Sequence, residues 1–287
     1  MASNPTASLT NLLRSATIDD HEEVLKATNA VLKSSKGNQD ALYTRVVALL
    51  KLDRYDDALR VLDEGGDKLA ERCALEKAYA LYRTGDYEDA DAVLKKSGLD
   101  SRGLKHVAAQ LAYRAERFED AARMYKDLEA RNDGLEGEEN DLRINSSAVD
   151  AQLEWQGNGH LVEKGRKRPS REDLEAFETA YNAACGSIAR GDMGQGAILL
   201  KRARDLCEAL DELSEKEKRA EVLPIMVQQE YVLTRLGKGD DAMGLADEVP
   251  IPEYVCLGNS YDIANLSTEW MKFKPESLPS IMLWQHQ

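Results

Sequence analysis

Apolar residues recur along most of the chain at three- and four-residue spacings, the period of a helix with one buried stripe. In "LYTRVVALLKL" (42–52) Leu42, Val46 and Leu49 share a stripe, and in "LEKAYALYRTG" (75–85) Leu75, Ala78, Leu81 and Tyr82 do the same. Each run stops at a short polar stretch. A second periodic run follows, begun by Ala58, Val61 and Leu62 in one case and by Ala90, Val93 and Leu94 in the other. Two helices and a polar turn in about 32 residues form a helical hairpin.

The hairpins repeat. "DRYDDALRVL" (53–62), "GDYEDADAVL" (85–94) and "ERFEDAARMY" (116–125) each carry an aromatic, two acids, an alanine and a large residue four positions later. The aromatics Tyr55, Tyr87 and Phe118 are 32 and 31 residues apart. A degenerate copy, "DDHEEVLKAT" (19–28), has His21 in the aromatic slot, while "GDMGQGAILL" (191–200) and "GKGDDAMGLA" (237–246) keep the glycine opening and lose the aromatic. Stacking such hairpins buries the faces that each one alone leaves open, so the pattern predicts an all-α superhelical solenoid.

From Arg131 the period loosens. "RNDGLEGEEND" (131–141) reads as a loop, "DLRINSSAVDAQLEWQG" (141–157) as a helix, and "NGHLVEKGRKRPSRED" (158–173) as a basic loop that Pro169 keeps from being helical. A helix restarts with Phe177, Tyr181, Ala184 and Ile188. "AILLKRARDLCEALDELSEKEKRAEVL" (197–223) reads as one longer second helix, and "IMVQQEYVLTRLG" (225–237) opens the last hairpin. Four of the seven prolines and two of the three tryptophans fall after residue 249, where no period is visible. The predicted organisation is a repeat domain over 1–253 and a non-repeat, partly disordered tail over 254–287.

Composition narrows the function. Aromatics are 6% of the chain, which favours close-packed helices over a sandwich. A net charge of −14 argues against a duplex-binding surface along the whole length and suits a basic partner segment. Cys73, Cys185, Cys207 and Cys256 form no CxxC pair, which fits a reducing compartment. The N-terminus shows no signal peptide and no run is long and apolar enough to span a membrane, so a cytoplasmic location is expected.

Catalytic chemistry is not indicated. The acids Asp86, Glu88, Asp89 and Asp91 follow Gly85 and lack the spacing and closing glutamate of a calcium loop. They read as helix-start residues complementing the helix dipole, a reading their recurrence as Asp56-Asp57 and Glu119-Asp120 supports. His21, His106, His160 and His286 have no ligand spacing, Cys185 sits in an alanine-rich helix, and no Ser-His-Asp, GxGxxG or Walker sequence is present. No metal, no cofactor and no enzymatic activity are expected.

Two sets of residues remain. In stacked hairpins the first helices line the concave side, and spacing from the turns places Tyr43, Val47, Leu75, Tyr79, Tyr82, His106, Gln110, Tyr113, Tyr181 and Cys185 there, with Asn145 and Asn182 as groove-facing amides. Tyrosine offers large contact area and a polar tip at low entropic cost. Within residues 81–94, Tyr82 reads as the contact residue and Tyr87 as the packing residue. The second set, Lys164, Arg166, Lys167, Arg168 and Arg171 in "KGRKRPSR", suits RNA contact or a solvated loop, though no aromatic interleaves it.

The repeat resembles the tetratricopeptide family: Gly85-Asp86-Tyr87 stands at the turn, and Ala90 with Leu94 fills the Ala-x-x-x-Phe slots. The first-helix tryptophan of that family is missing, and Ala78 and Ala109 stand where glycine is common. "EENDLRIN" and "AYNAACGSIARG" are more distinctive, and over about residues 5–253 the chain is similar to the family of seventy-two-kilodalton subunits of the eukaryotic signal recognition particle, in their N-terminal tetratricopeptide region. That resemblance implies a right-handed solenoid holding a C-terminal segment of the sixty-eight-kilodalton subunit in its groove, for particle assembly and targeting to the endoplasmic reticulum. It also implies a cytoplasmic place with nuclear or nucleolar transit during assembly. The Lys-rich RNA-contacting region of the family is missing, so particle RNA is expected to be met weakly or only indirectly. An adaptor for a different protein ligand and RNA contact through the basic loop stay open as alternatives.

Overall fold

The left-handed backbone of one residue ends each first helix. In the computed structural model, which describes residues 21–248 apart from 100, 132–133, 135–136, 172–173 and 212, positive φ occurs at Asp53, Gly85, Glu116, Gly157, Gly191 and Gly237. At five of these the next residue's N–H reaches back to the carbonyl five positions earlier. Arg54 bonds Leu49, Asp86 bonds Leu81, Asn158 bonds Leu153, Asp192 bonds Ser187 and Lys238 bonds Leu233, at 2.8–3.0 Å. This is the cap of a helix stopped by one left-handed residue.

Twelve helices and no strand occur among the described residues. They are α1 (His21–Ser34), α2 (Gln39–Lys51), α3 (Tyr55–Arg72), α4 (Ala74–Thr84), α5 (Tyr87–Ser97), α6 (Arg102–Arg114), α7 (Phe118–Glu129), α8 (Glu138–Trp155), α9 (Phe177–Ala189), α10 (Met193–Glu208), α11 (Glu215–Arg235) and α12 (Gly239–Glu248). The chain divides into two compact units, one ending at Ala115 and one starting at Glu116. Within each, helices pack mainly on their neighbours in sequence, and in the first unit α4 also meets α2 and α6. The all-α helical-repeat expectation is met in both. The tail expected over 254–287 lies outside the described residues.

Counting from the left-handed residue recovers the repeat. Five positions on stand Ala58, Ala90, Ala121, Gly196 and Ala242, the first three fully buried. Nine positions on stand Leu62, Leu94, Tyr125 and Leu200, all at most 4% exposed. A small residue is required in the first slot because the two helices of a hairpin touch there: a Cβ on Gly196 would lie 2.7 Å from Ile188 Cγ1. The second helices are amphipathic, α5 burying only Ala90 and Leu94. First helices are buried on most sides, α6 in nine of its thirteen residues.

The acids of 86–91 behave as expected of a helix start. Asp86 precedes α5 and accepts from Thr84 Oγ1 at 2.7 Å, Glu88 and Asp89 occupy the first turn, and Asp91 pairs with Lys95. One expectation is corrected. Residues 197–223 are not a single helix, because Ser214 opens a new one: its hydroxyl accepts from Glu217 N–H while the Glu217 carboxylate accepts from Ser214 N–H at 2.8 Å. This reciprocal cap outweighs the unbroken helical propensity of the segment. α11 then runs through Pro224 to Arg235.

Candidate functional site

Within the first unit, the residues ten before each left-handed position are Tyr43, Leu75 and His106. Those six before are Val47, Tyr79 and Gln110, and Tyr82 and Tyr113 lie three before. The expected groove residues therefore share register, but burial divides them. Tyr43 and Val47 are half-buried. Leu75, Tyr79, Tyr82 and Tyr113 are 5–9% exposed, and His106 and Gln110 are 1%.

The tyrosines are wired to cations that the sequence pattern did not single out. Tyr43 O–H donates to Glu76 Oε1 at 3.2 Å, and the Arg72 guanidinium lies 4.8 Å from its ring centre while pairing with Asp40 at 2.7 Å. Burial, then Glu76, pushes the Tyr43 phenol above its ordinary range. Arg83 sits over the Tyr55 ring at 4.6 Å and donates to Tyr79 O–H at 2.8 Å, with the two rings edge to face at 6.0 Å. Tyr82 and Tyr87 lie 6.1 Å apart, and their exposures run opposite to expectation: Tyr87 is 39% exposed and Tyr82 5%. The reason is position. Tyr82 faces the neighbouring first helix, where Arg114 bonds it, whereas Tyr87 is the first residue of α5, one turn before the buried Ala90, at the open end of that stripe.

In the second unit, α8 carries the left-handed ending of a first helix but, among the described residues, no second helix follows it before α9. Residues 156–171 take that place, with Val162 as their buried plug. Arg166 pins this segment: its Nε donates to Asp150 Oδ2 at 2.7 Å and its Nη1 to both Glu129 oxygens at 3.1 and 3.2 Å. Lys126 meets Glu163 at 2.7 Å, and Lys167 and Arg190 both reach Glu154 Oε1 at 3.4 and 3.3 Å. Of the five basic residues expected to be available for RNA, Arg166 and Lys167 are thus engaged with acids, while Lys164, Arg168 and Arg171 are exposed.

The amides lie on the packed pair α8 and α9. Asn182, half-buried, donates from Nδ2 to the Ile144 carbonyl and to Ser147 Oγ, both at 3.0 Å. Asn145 is 8% exposed, Tyr181 7% and Cys185 3%. Burial raises the Cys185 thiol to about 12, and burial followed by Glu76 does the same for Cys73, so neither is poised as a thiolate. No group of three or more His, Cys, Asp or Glu suited to a metal ion occurs among the described residues, and no described helix is long and apolar enough to cross a membrane.

Stacked hairpins with small residues at their crossings and aromatics on first helices define a tetratricopeptide-like helical-repeat protein. Residues 17–152 match the SRP_TPR_like family, a TPR-like repeat. The chain is 30% identical over 237 residues to signal recognition particle subunit SRP72 of Canis lupus familiaris, covering 80% of this chain and 34% of that one. The human subunit SRP72 is 29% identical with the same coverage, and that of Caenorhabditis elegans 27% over 84% and 37%. These matches support an N-terminal tetratricopeptide region of the SRP72 kind, and the chain spans about a third of the length of these curated relatives. A solved Naa15/Naa10 structure bound to HypK-THB is similar at a TM-score of 0.39 and 16% identity, over 95% of this chain and 40% of that one.

Proposed function

We propose that the chain is a recognition scaffold of the signal recognition particle, holding a C-terminal segment of the sixty-eight-kilodalton subunit along its first helices. The observation that carries this reading is the similarity, over 80% of the chain, to subunits named for that particle. Supporting it, Tyr43 and Val47 leave part of α2 open to a ligand, and the net charge of −14 suits a basic segment. The work is binding rather than catalysis, in the cytoplasm: a stacked core keeps the surface in shape while the ligand becomes ordered on it. Contact with particle RNA is the weaker reading, since two of the loop's five cations already meet carboxylates.

Tyr43 and Val47 are the half-open members of the first-unit set, so substituting them spares the core. In a pull-down with C-terminal fragments of the sixty-eight-kilodalton subunit, wild type is expected to bind, with Tyr43→Ala and Val47→Asp each about tenfold weaker, a loss of about 1.4 kcal/mol. No binding by wild type sinks the partner. Normal binding by both folded variants moves the contact surface elsewhere.

A further inference from the structure

Helix α8 opens with polar residues where a packed helix would ordinarily be apolar. Glu138, Asp141 and Asn145 follow at spacings of three and four on one face and are 2, 9 and 8% exposed. Glu178 stands in the first turn of α9, which packs on α8. Asp141 Oδ2 and Asn145 Nδ2 are cut off from solvent and have no hydrogen-bond partner. A buried acceptor and a buried donor left unmade one helical turn apart are expensive, and such groups ordinarily mark a missing partner.

The electrostatics say what kind of partner. Burial is the largest influence raising the Asp141 carboxyl to about 6, followed by the negative charges of Glu138 and Glu178, which a cation at Asp141 would offset. The acids do not converge as a metal site would, since no metal-holding group of three occurs among the described residues. A larger cation with several donors fits a dispersed set of carboxylates, and a guanidinium carries five N–H donors in a fixed fork. Asn145 supplies the complementary donor for a carbonyl, so the two unmade bonds match an arginine residue of a peptide: side chain to Asp141, backbone carbonyl to Asn145.

We propose that Asp141 and Asn145, with Glu138 and Glu178 around them, form a seat for one arginine of a bound peptide. The seat rests on the peptide-binding reading above for what carries that arginine, and its chemistry can be tested separately. Two probes are used on the full chain. With C-terminal fragments of the sixty-eight-kilodalton subunit, Asp141→Asn is expected to weaken binding at least tenfold and Asn145→Ala several-fold. One Arg→Gln change in the fragment should lose no further affinity against Asp141→Asn, as a shared contact requires. With N-acetyl-arginine amide, the Asp141 carboxyl carbon and the Asn145 side-chain amide should shift in NMR spectra, and the Asp141 midpoint should fall towards the ordinary carboxylate range. N-acetyl-citrulline amide, uncharged but of the same shape, should leave them unmoved. Fragment binding by Asp141→Asn equal to wild type, or equal responses to the two amides, overturns the seat. Failure of wild type to bind any fragment overturns the partner instead, and the two amides then decide the seat alone.

Discussion

The hairpins α2–α3 and α4–α5 and the segment from α8 to α9 solve one problem in two ways. In the first region, every first helix is covered by a second helix whose small residue, Ala58 or Ala90, is fully buried at the crossing. The outer layer there is regular secondary structure and its stability comes from apolar contact. In the second region, no helix that would cover α8 occurs among the described residues before α9, and residues 156–171 take its place. That loop is held by ion pairs from Arg166 to Glu129 and Asp150, with one buried plug at Val162. A helix satisfies its own backbone and can be fastened by methyl groups, whereas a loop needs charged clamps. Where α8 begins, its buried face is polar and partly unsatisfied. The regular region devotes its burial to stability, and the irregular one leaves Asp141 Oδ2 and Asn145 Nδ2 buried without hydrogen-bond partners.

The comparison can be broken most forcefully in the apolar region. Leu62 is 1% exposed at a repeat position, and Leu62→Ala should cost about 3 kcal/mol in chemical denaturation through lost burial and the cavity left behind. A loss below about 1 kcal/mol would show that the hairpin crossing is not the seat of stability.

Asp141→Asn should act in the opposite direction. The folded carboxyl has its midpoint at about 6, above the ordinary 3.8, so the folded state holds its proton more tightly than the unfolded chain does. Stability therefore falls as pH rises from about 4 to 6 and stays reduced above that. The neutral substitution should raise stability at pH 7 by about 2 kcal/mol, and the gain should vanish below about pH 4. A gain that does not depend on pH would contradict the electrostatic reading of α8.

Arg166→Ala removes three hydrogen bonds and leaves the Asp150 carboxylate without its cation, at a cost of about 1–2 kcal/mol. Limited proteolysis should then cut within 156–176 faster than in wild type, while Arg168→Ala, at an exposed position, should cut at the wild-type rate. Equal rates for the two variants would remove the clamp from the account.

The smallest effects belong to the turns. Gly85 has φ 89°, and Gly85→Ala should cost about 1 kcal/mol, whereas Glu116, with φ 56°, bears the strain already. Glu116→Gly should accordingly change stability by less than about 1 kcal/mol in its favour. The pair of melting temperatures, shifted in opposite directions, tests the shared turn geometry.

Much of the first region is legible in the residues themselves. The slots of Ala58, Ala90 and Ala121 and of Leu62, Leu94 and Tyr125 come straight from the spacing of one short motif, because small residues at close crossings and large ones in cores are local requirements. The split at Ser214 is written there too, in the Ser-x-x-Glu of its reciprocal cap, but the long charged run around it masks the signal. The candidate site is less legible. Register places Tyr79, Tyr82, His106 and Gln110 on first helices, yet their depth depends on neighbours one repeat away. The cations over the rings, Arg72 and Arg83, carry no pattern of their own.

What the sequence alone determined is therefore the unit and its period: helix, polar turn, amphipathic helix, repeated with a small residue in the second helix. These follow from propensity, turn chemistry and hydrophobic spacing, all of which act within about 32 residues. Only the tertiary structure decided that Tyr82 is buried while Tyr87 is open, that a loop clamped by Arg166 replaces a helix, and that Asp141 and Asn145 are buried with unmade bonds. Exposure and electrostatic environment are set by residues distant in sequence, and no local period encodes them.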